Sequence, residues 1–330
     1  MRVSVVLPFI NADKMLPQAV NSVLEQSESC ELILVDNNTH PSDLALLLAQ
    51  KYAQINLVQE PQTGIVNALN AGIAASSCPY IARMDADDVM LPHRLKLQAD
   101  FLDEHPDIKL VSGLVEYGGD SQMQKGYFEY VEQINSIRTP EHMYWYRFIE
   151  SPVAHPSVMF RKNMTSRVPP YLEGSFPEDY ELWLHVLNEH PYSFAKLDVP
   201  ILRWNDAPQR LSRQHPAYSD DAFSRIRLAY LANWLLQKCR ITKPILIIGG
   251  GKKAKLKIRQ LQELGLTIDA FSDLMPRKID GITFIPWYEV VPKRGFYLIS
   301  LVSNRHAWKL IESELLNRGF VRETDFILAN

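Results

Sequence analysis

Three carboxylates stand within four residues at Asp85-Ala86-Asp87-Asp88. So dense a cluster repels itself unless a cation sits among the oxygens. A hard divalent ion held by one or two carboxylates, and completed by substrate phosphates, suits that donor set. A solvated acidic turn capping the next helix is the alternative that the cluster alone leaves open. Polar residues also close two other apolar runs, as Pro8-Phe9-Ile10-Asn11 and as Asp36-Asn37-Asn38. A further acidic pair, Glu178-Asp179, opens a run whose apolar residues Leu182, Trp183 and Val186 share a face. A helix N-terminus keeps such a carboxylate ionised.

These residues require a frame. Ser4 to Leu7, Leu32 to Val35, Ile55 to Val58 and Tyr80 to Met84 read as strands. Between them, Leu16, Ala19, Val20, Val23 and Leu24 fall on one helical face, a second helix holds Leu44, Leu47 and Leu48, and a third covers Ile65 to Ala75. Pro92 sits near the start of a fourth, where proline is tolerated. Strands alternating with helices imply right-handed crossovers and a mostly parallel α/β sheet. In such a sheet ligands bind beyond the carboxyl ends of the strands, and three of the polar clusters fall there.

Beyond residue 100 the pattern loosens. Tyr117 to Gln133, rich in Gly, Gln, Tyr and Glu, reads as an insertion or flexible loop. Ser157 to Phe160 reads as a strand, Glu178 to Leu187 as a short helix and Ala217 to Lys238 as a longer one. After Lys243 a new unit begins, with strands at Ile245 to Ile248, Thr267 to Phe271, Ile282 to Ile285, Phe296 to Ile299 and near Phe326. Helices at Lys252 to Leu264 and His306 to Arg318 alternate with them. The division expected is 1–215, a linking helix over 216–242, and a small Rossmann-like α/β domain over 243–330.

Length and composition agree with two ordinary globular domains, at about 150 residues each as a prior. A formal charge of −3 gives no electrostatic reason to expect nucleic acid. Cys30, Cys78 and Cys239 are odd in number and lack metal-ligand spacing, which suits a reducing, cytoplasmic location. The apolar run Val3 to Ile10 lacks a basic flank and a cleavage site. No stretch reaches the roughly 18 apolar residues of a membrane span. The expectation is a cytoplasmic protein, free to associate peripherally with the inner face of a membrane.

At this point the sequence resembles the family 2 glycosyltransferases, which have the GT-A fold. The resemblance covers roughly residues 1 to 215. It rests on Val5-Val6-Leu7-Pro8 with Asn11, Leu34-Val35-Asp36-Asn37, and Gly64 followed by Ala68-Leu69-Asn70-Ala71-Gly72-Ile73. It continues through Tyr80-Ile81-Ala82-Arg83-Met84-Asp85-Ala86-Asp87-Asp88, Leu91-Pro92 and Arg94-Leu95. His155-Pro156-Ser157-Val158-Met159-Phe160-Arg161 and Glu178-Asp179-Tyr180-Glu181-Leu182-Trp183-Leu184 complete it. Each motif alone is weak, and their order and spacing make the match specific.

The resemblance implies an inverting transfer of a sugar from a nucleotide-diphosphate sugar to an acceptor hydroxyl, in surface polysaccharide or glycoconjugate biosynthesis. It places Pro8 and Ile10 at the base pocket, Asp36 and Asn37 on the base, and Gly64 and Asn67 among the donor-binding residues. Asp85 comes near the ribose, Asp87 holds Mg²⁺ or Mn²⁺ on the diphosphate, and Asp179 is the general base. His155 falls beside the donor sugar or the acceptor, Glu178 orients the loop or meets the acceptor, and Arg213 closes over the phosphates. Two departures stand out: many members carry a second acid where Asn37 stands, and an aromatic ring where Ile10 stands. Asn37 can still accept from a uracil or thymine N–H, which favours a UDP- or dTDP-sugar. The acceptor implied is a glycan or lipid-linked saccharide.

Gly249-Gly250-Gly251-Lys252-Lys253-Ala254, with Asp269 and Asp273 about twenty residues on, matches the dinucleotide fingerprint. The chain that remains is short for a full dinucleotide domain. The unit resembles the small Rossmann-like domain at the front of some sugar O-acyltransferases, with a structural or assembly role ahead of nucleotide binding. Lys252, Lys253, Lys255 and Lys257 read as a solvated helix face or an anion site. Trp183, Trp204 and Trp234 read as core. A sugar nucleotidyltransferase would need a basic Gly-rich loop where Phe9-Ile10-Asn11-Ala12 stands, and an NAD-dependent oxidoreductase would leave Asp85 to Asp88 unexplained. A silent binding module would not need both Asp87 and Asp179.

Overall fold

The computed structural model describes residues 1–12, 14–38, 43–120, 122, 124–206, 211–238, 242–304 and 307–329. Cys239, and the His306 expected to open the last helix, lie outside the described residues. The chain divides into two compact units, one of 1–144, 152–174 and 178–215, the other of 145–151, 175–177 and 216–330.

The strands of the first unit are β1 (Val3–Phe9), β2 (Cys30–Asp36), β3 (Ile55–Gln59), β4 (Tyr80–Arg83), β5 (Val89–Met90), β6 (Leu110–Tyr117), β7 (Met159–Arg161) and β8 (Phe194–Trp204). They form one sheet in the order β3-β2-β1-β4-β7-β6-β8-β5. β3, β2, β1 and β4 are parallel, as are β6 and β8, whereas β7 runs against β4 and β6, and β5 against β8. The helices are α1 (Leu16–Leu24), α2 (Asp43–Lys51), α3 (Ile65–Ala75), α4 (Arg94–Glu104), α5 (Lys125–Ser136), α6 (Pro140–Trp145), α7 (Glu178–Glu189) and α8 (Leu211–Gln214).

β1 is buried along its whole length. Its continuous apolar run belongs to a central strand covered on both faces. α3 lies against β1 and β2 so closely that a Cβ on Gly72 would stand 2.4 Å from Val6 Cγ1 and 3.0 Å from Val35 Cγ2. Only glycine admits that approach. The core of this unit runs from Val3, Val5 and Leu7 through Leu32 and Leu34 to Ile201, Leu202 and Trp204. Trp183 and Trp204 are buried, as expected of core residues.

Two expectations need correction. The segment read as a loop over 117–133 contains α5. Its inner face holds Val131 and Ile134, and Tyr127 and Tyr130 pack on Trp204 with centroids 5.4 and 6.0 Å apart. Tyrosines supply much of the buried stripe, so the hydrophobic period is masked by polar-looking residues. The strand expected from Ser157 is shorter, because Pro156 sits in a 3-10 turn over His155–Ser157 and only Met159–Arg161 pairs.

In the second unit, α9 (Asp220–Asn233) starts later than the sequence suggests. Ser219 caps it by accepting the Ala222 N–H at 3.3 Å, and a π-helical turn over Trp234–Lys238 follows. β9 (Ile245–Ile248), α10 (Lys252–Glu263), β10 (Ala270–Ser272), β11 (Thr283–Phe284), β12 (Tyr297–Ser300), α11 (Ala307–Asn317) and β13 (Phe326–Leu328) complete it. The sheet order is β11-β10-β9-β12-β13, parallel throughout. Among the described residues no helix is long and apolar enough to cross a membrane.

Candidate active site

Register brings the strand ends of the first unit together. Phe9 pairs with Asp36 and Val6 with Arg83, so Ile10, Asp36 and the turn Asp85–Asp88 lie at one edge of the parallel half-sheet. Pro8 is buried in β1, and Ile10 just beyond it is 46% exposed.

Asp85, Asp87 and Asp88 can bring one carboxylate oxygen each within 4.8 Å of one another. Their surroundings divide their roles. Asp88 is buried and accepts the Asn205 backbone N–H at 2.9 Å, while Asn205 Nδ2 donates to the Asp87 carbonyl at 2.7 Å. Asp88 therefore ties the acidic turn to the end of β8. Asp85 is ion-paired with Arg83. Asp87 is half-buried at the turn's tip. Oxygen donors at this spacing fit a hard divalent cation that keeps phosphate and water as its other ligands.

Two buried arginines support the turn. Arg94 donates to the carbonyl oxygens of Arg83 at 2.9 Å and Val158 at 3.3 Å, and its Nε bonds Gln98 Oε1 at 3.0 Å. Burial lowers the Arg94 pKa to about 9, with Asp88 working against the shift. Arg83 is 4% exposed. Burial disfavours its charge, and Asp85 outweighs that and raises its pKa, helped more weakly by Tyr171 and Glu178.

Around Arg83 stand the second group of expected residues. His155 is buried with Nε2 at 2.8 Å from the Tyr171 hydroxyl and Nδ1 at 3.9 Å from Glu178 Oε1. Burial first, and Arg83 second, push the imidazole well below its usual range, so it is neutral near pH 7. Glu178 is buried and Asp179 half-buried at the start of α7. Asp179 Oδ1 accepts the Tyr180 N–H at 2.7 Å. Burial raises its pKa to about 6, while the Tyr180 bond and Arg83 pull it down and Asp85 pushes it up. Asp85, Arg83 and Asp179 thus share one electrostatic neighbourhood.

Other expected residues are engaged elsewhere. Asn37 is 5% exposed; its Nδ2 donates to the Glu60 and Gln62 carbonyls at 3.2 and 2.8 Å, and its Oδ1 accepts the Gly64 N–H at 2.8 Å. The amide holds the turn before α3, where Gly64 has φ +144°, and its oxygen is directed at the turn instead of a base. Asp36 is half-buried and accepts from Gln59 Nε2 at 3.2 Å. Asn67 donates to Glu173 Oε1 at 2.8 Å. Arg213 grips Asp206 with both contacts at 2.6 Å and lies over the Tyr127 ring at 5.2 Å.

Four residues given no role in the sequence analysis belong to this site: Arg83, Arg94, Tyr171 and Asn205. Arg83 had a signal, since it is a cation placed in the apolar run Tyr80 to Met84, whereas Arg94 stands among His93, Lys96 and Gln98 and had none. Tyr171 and Asn205 had none, because their partners are distant in the chain.

A family model described as glycosyl transferase family 2 matches residues 4–168, half of the chain. The bifunctional glycosyltransferase pgtA of Dictyostelium discoideum is 30% identical over 74% of this chain, which spans 38% of that relative's length. The O-antigen biosynthesis glycosyltransferase WbnJ of Escherichia coli is 29% identical over 63% of this chain and 77% of its own. Among solved structures, Staphylococcus aureus TarS 1-349, crystallised with UDP-GlcNAc, superposes with a TM-score of 0.51 at 15% identity, covering 80% of each chain. That likeness is one of fold, and it agrees with the GT-A class expected from the sequence.

Proposed function

The chain belongs to glycosyl transferase family 2, and from that premise we propose that it transfers a sugar from a nucleoside-diphosphate sugar to an acceptor hydroxyl with inversion. The observation carrying this reading is the pairing of an acidic strand-end turn with a second carboxylate, Asp179, in the field of one buried arginine. Asp179 takes the acceptor proton as the acceptor oxygen bonds to the anomeric carbon. The bond from that carbon to the diphosphate breaks at the same time, and the diphosphate leaves as an anion. Asp87 would hold Mg²⁺ or Mn²⁺, which when bound neutralises charge on the departing diphosphate. Asp85, fixed by Arg83, takes the ribose side. His155, held neutral, lines the sugar or acceptor, with Glu178 beside it.

Pro8 and Ile10 supply the apolar wall of the base pocket and Asp36 its hydrogen-bond acceptor. A uridine or thymidine donor is the reading for the base, resting on Asp36 now that Asn37 is turned into its loop. Gly64, with Asn37 and Asn67, shapes the turn beneath the donor, and Arg213 closes the far side only if it leaves Asp206. A glycan or lipid-linked saccharide is the acceptor class, in line with the similarity to the O-antigen biosynthesis glycosyltransferase WbnJ and the amylovoran biosynthesis glycosyltransferase AmsE of Erwinia amylovora. With such an acceptor we propose a cytoplasmic location, at the inner membrane face. We read the second unit as a structural or assembly module resembling the small Rossmann-like domain at the front of some sugar O-acyltransferases.

The test is a screen of nucleotide-sugars with Mn²⁺, scored by donor hydrolysis and thermal shift. A bound donor at about 100 times its Kd should add roughly 2.7 kcal/mol of stability. The absence of any stabilising donor across UDP-, dTDP- and GDP-sugars would overturn the proposal.

A further inference from the structure

The two ends of the chain carry opposite charge. Residues 1–215 hold 17 Lys and Arg against 27 Asp and Glu, net −10, whereas residues 216–330 hold 18 against 11, net +7. The overall charge of −3 conceals this separation.

In the second unit, β9 and β10 are parallel, so the turn Gly249–Gly251 and the loop Asp273–Lys278 leave the same edge of the sheet. Asp273 Oδ2 accepts the Gly250 N–H at 2.7 Å and Arg277 Nε at 3.1 Å. Lys255 Nζ donates to the Lys278 carbonyl at 2.7 Å. These bonds strap the loop to the first turn of α10 and gather Lys252, Lys255, Arg277 and Lys278. From the strapped loop project Leu274 and Met275, 83% and 65% exposed.

The same contacts weigh against a dinucleotide at the glycine turn. The Asp273 carboxylate holds the Gly250 N–H that a phosphate would need. Asp269 lies at the opposite end of the strands, where its Oδ2 accepts the Ile245 N–H at 2.8 Å, so it is remote from a ribose at the turn.

We propose that this edge of the second unit docks on an anionic phospholipid surface, with Leu274 and Met275 among the acyl chains and the surrounding cations on the headgroups. Two adjacent apolar side chains on a protruding loop suit insertion, and a basic patch beside them supplies the second signal that stable peripheral binding requires. Lysine is depleted in protein–protein interfaces and attracted to anionic leaflets. Lys278 pairs with Asp280 at 3.6 Å with both side chains exposed; so exposed an ion pair is weak and exchanges for lipid phosphate, while Arg277 stays on Asp273 at 3.1 Å. The net charge of +7 over residues 216–330 adds a long-range attraction to the same surface. This inference is independent of the sugar-transfer reading.

The experiment is sedimentation of the full chain with phosphatidylcholine vesicles with and without phosphatidylglycerol, at low and high salt. Binding is expected only with phosphatidylglycerol and is released by salt. Partitioning should fall about fivefold for each lysine neutralised in Lys252→Gln and Lys278→Gln, and be lost when Leu274→Ser and Met275→Ser are combined. Donor hydrolysis in solution should not change in these variants. Failure to sediment with anionic vesicles at low salt, or sedimentation of the variants equal to the parent, would overturn the proposal. So would a vesicle-free dimer abolished by the same substitutions, which would assign the patch to a second copy of the chain.

Discussion

His155 Nε2 stands 2.8 Å from the hydroxyl of Tyr171, and the loop carrying Tyr171 is itself clamped by Asn70. Asn70 Nδ2 donates to the Tyr171 carbonyl at 3.0 Å, and the Tyr171 N–H returns to Asn70 Oδ1 at 3.2 Å. The imidazole is neutral and Glu178 Oε1 lies 3.9 Å from Nδ1; in the tautomer with its proton on Nδ1, Nε2 accepts from the Tyr171 hydroxyl. Tyr171→Phe should cost about 1 kcal/mol of stability. Misplacing His155 should also lower kcat between about tenfold and a hundredfold, while UDP affinity measured by calorimetry holds. Unchanged kcat with unchanged UDP affinity would remove His155 from the reacting centre.

The acidic turn yields a contrast between neighbours. Asp87→Ala should abolish transfer and weaken nucleoside-diphosphate binding without altering Tm. Asp88→Ala should act the other way round. It strips the half-buried Asn205 N–H of its acceptor, a loss of about 1 kcal/mol, and should show first as a lowered Tm. EDTA should inactivate the parent, and Mn²⁺ or Mg²⁺ should restore it. Full activity in EDTA would refute the metal assignment.

Much of this site is legible in the sequence because strand ends are where a parallel sheet gathers its ligands. Asp36, Asp85 and Asp87 could be located from four apolar runs and the polar residues that close them. The orientation of amides could not. Asn37 occupies a strand end like Asp36, yet its side chain turns into the 60–64 loop, and nothing in the local pattern says which way an amide faces. α5 was hidden for a related reason: its packing face is aromatic and hydroxylated, so a scale that scores tyrosine as polar loses the period. In the second unit the fingerprint glycines are real, but of the two acids about twenty residues on, Asp269 serves the opposite end of the sheet and Asp273 is taken up by the Gly250 N–H. Spacing alone cannot distinguish those ends.

The Asn37 geometry has a consequence for base recognition. Asn37→Asp keeps an acceptor for Gly64 but sets a carboxylate against the Glu60 and Gln62 carbonyls, and should destabilise by about 2 kcal/mol. Asp36→Ala should leave Tm alone and weaken UDP and dTDP together. Calorimetry with metal present decides between them. Tighter binding of GDP than of UDP or dTDP would reverse the choice of base.

The last prediction concerns the proton. Asp179 has a pKa raised to about 6, from burial first, with the Tyr180 N–H and Arg83 opposing it. The sign is that of a carboxyl that holds its proton more tightly folded than unfolded. Stability from that protonated form is fully present below the unfolded value near pH 4 and is lost as pH rises through about 6. Activity runs oppositely, because a base must be ionised to accept the acceptor proton. Turnover should therefore fall as pH drops through about 6, while the folded state gains from the same protonation. Asp179→Asn removes both effects. It should match or exceed the parent's Tm above pH 7, bind the nucleotide-sugar with unchanged affinity, and lose about 10² to 10⁴ in rate. Its residual activity should no longer carry the acid limb. Near-normal turnover in Asp179→Asn would transfer the base role to Glu178, and lost donor affinity would make Asp179 a binding residue instead.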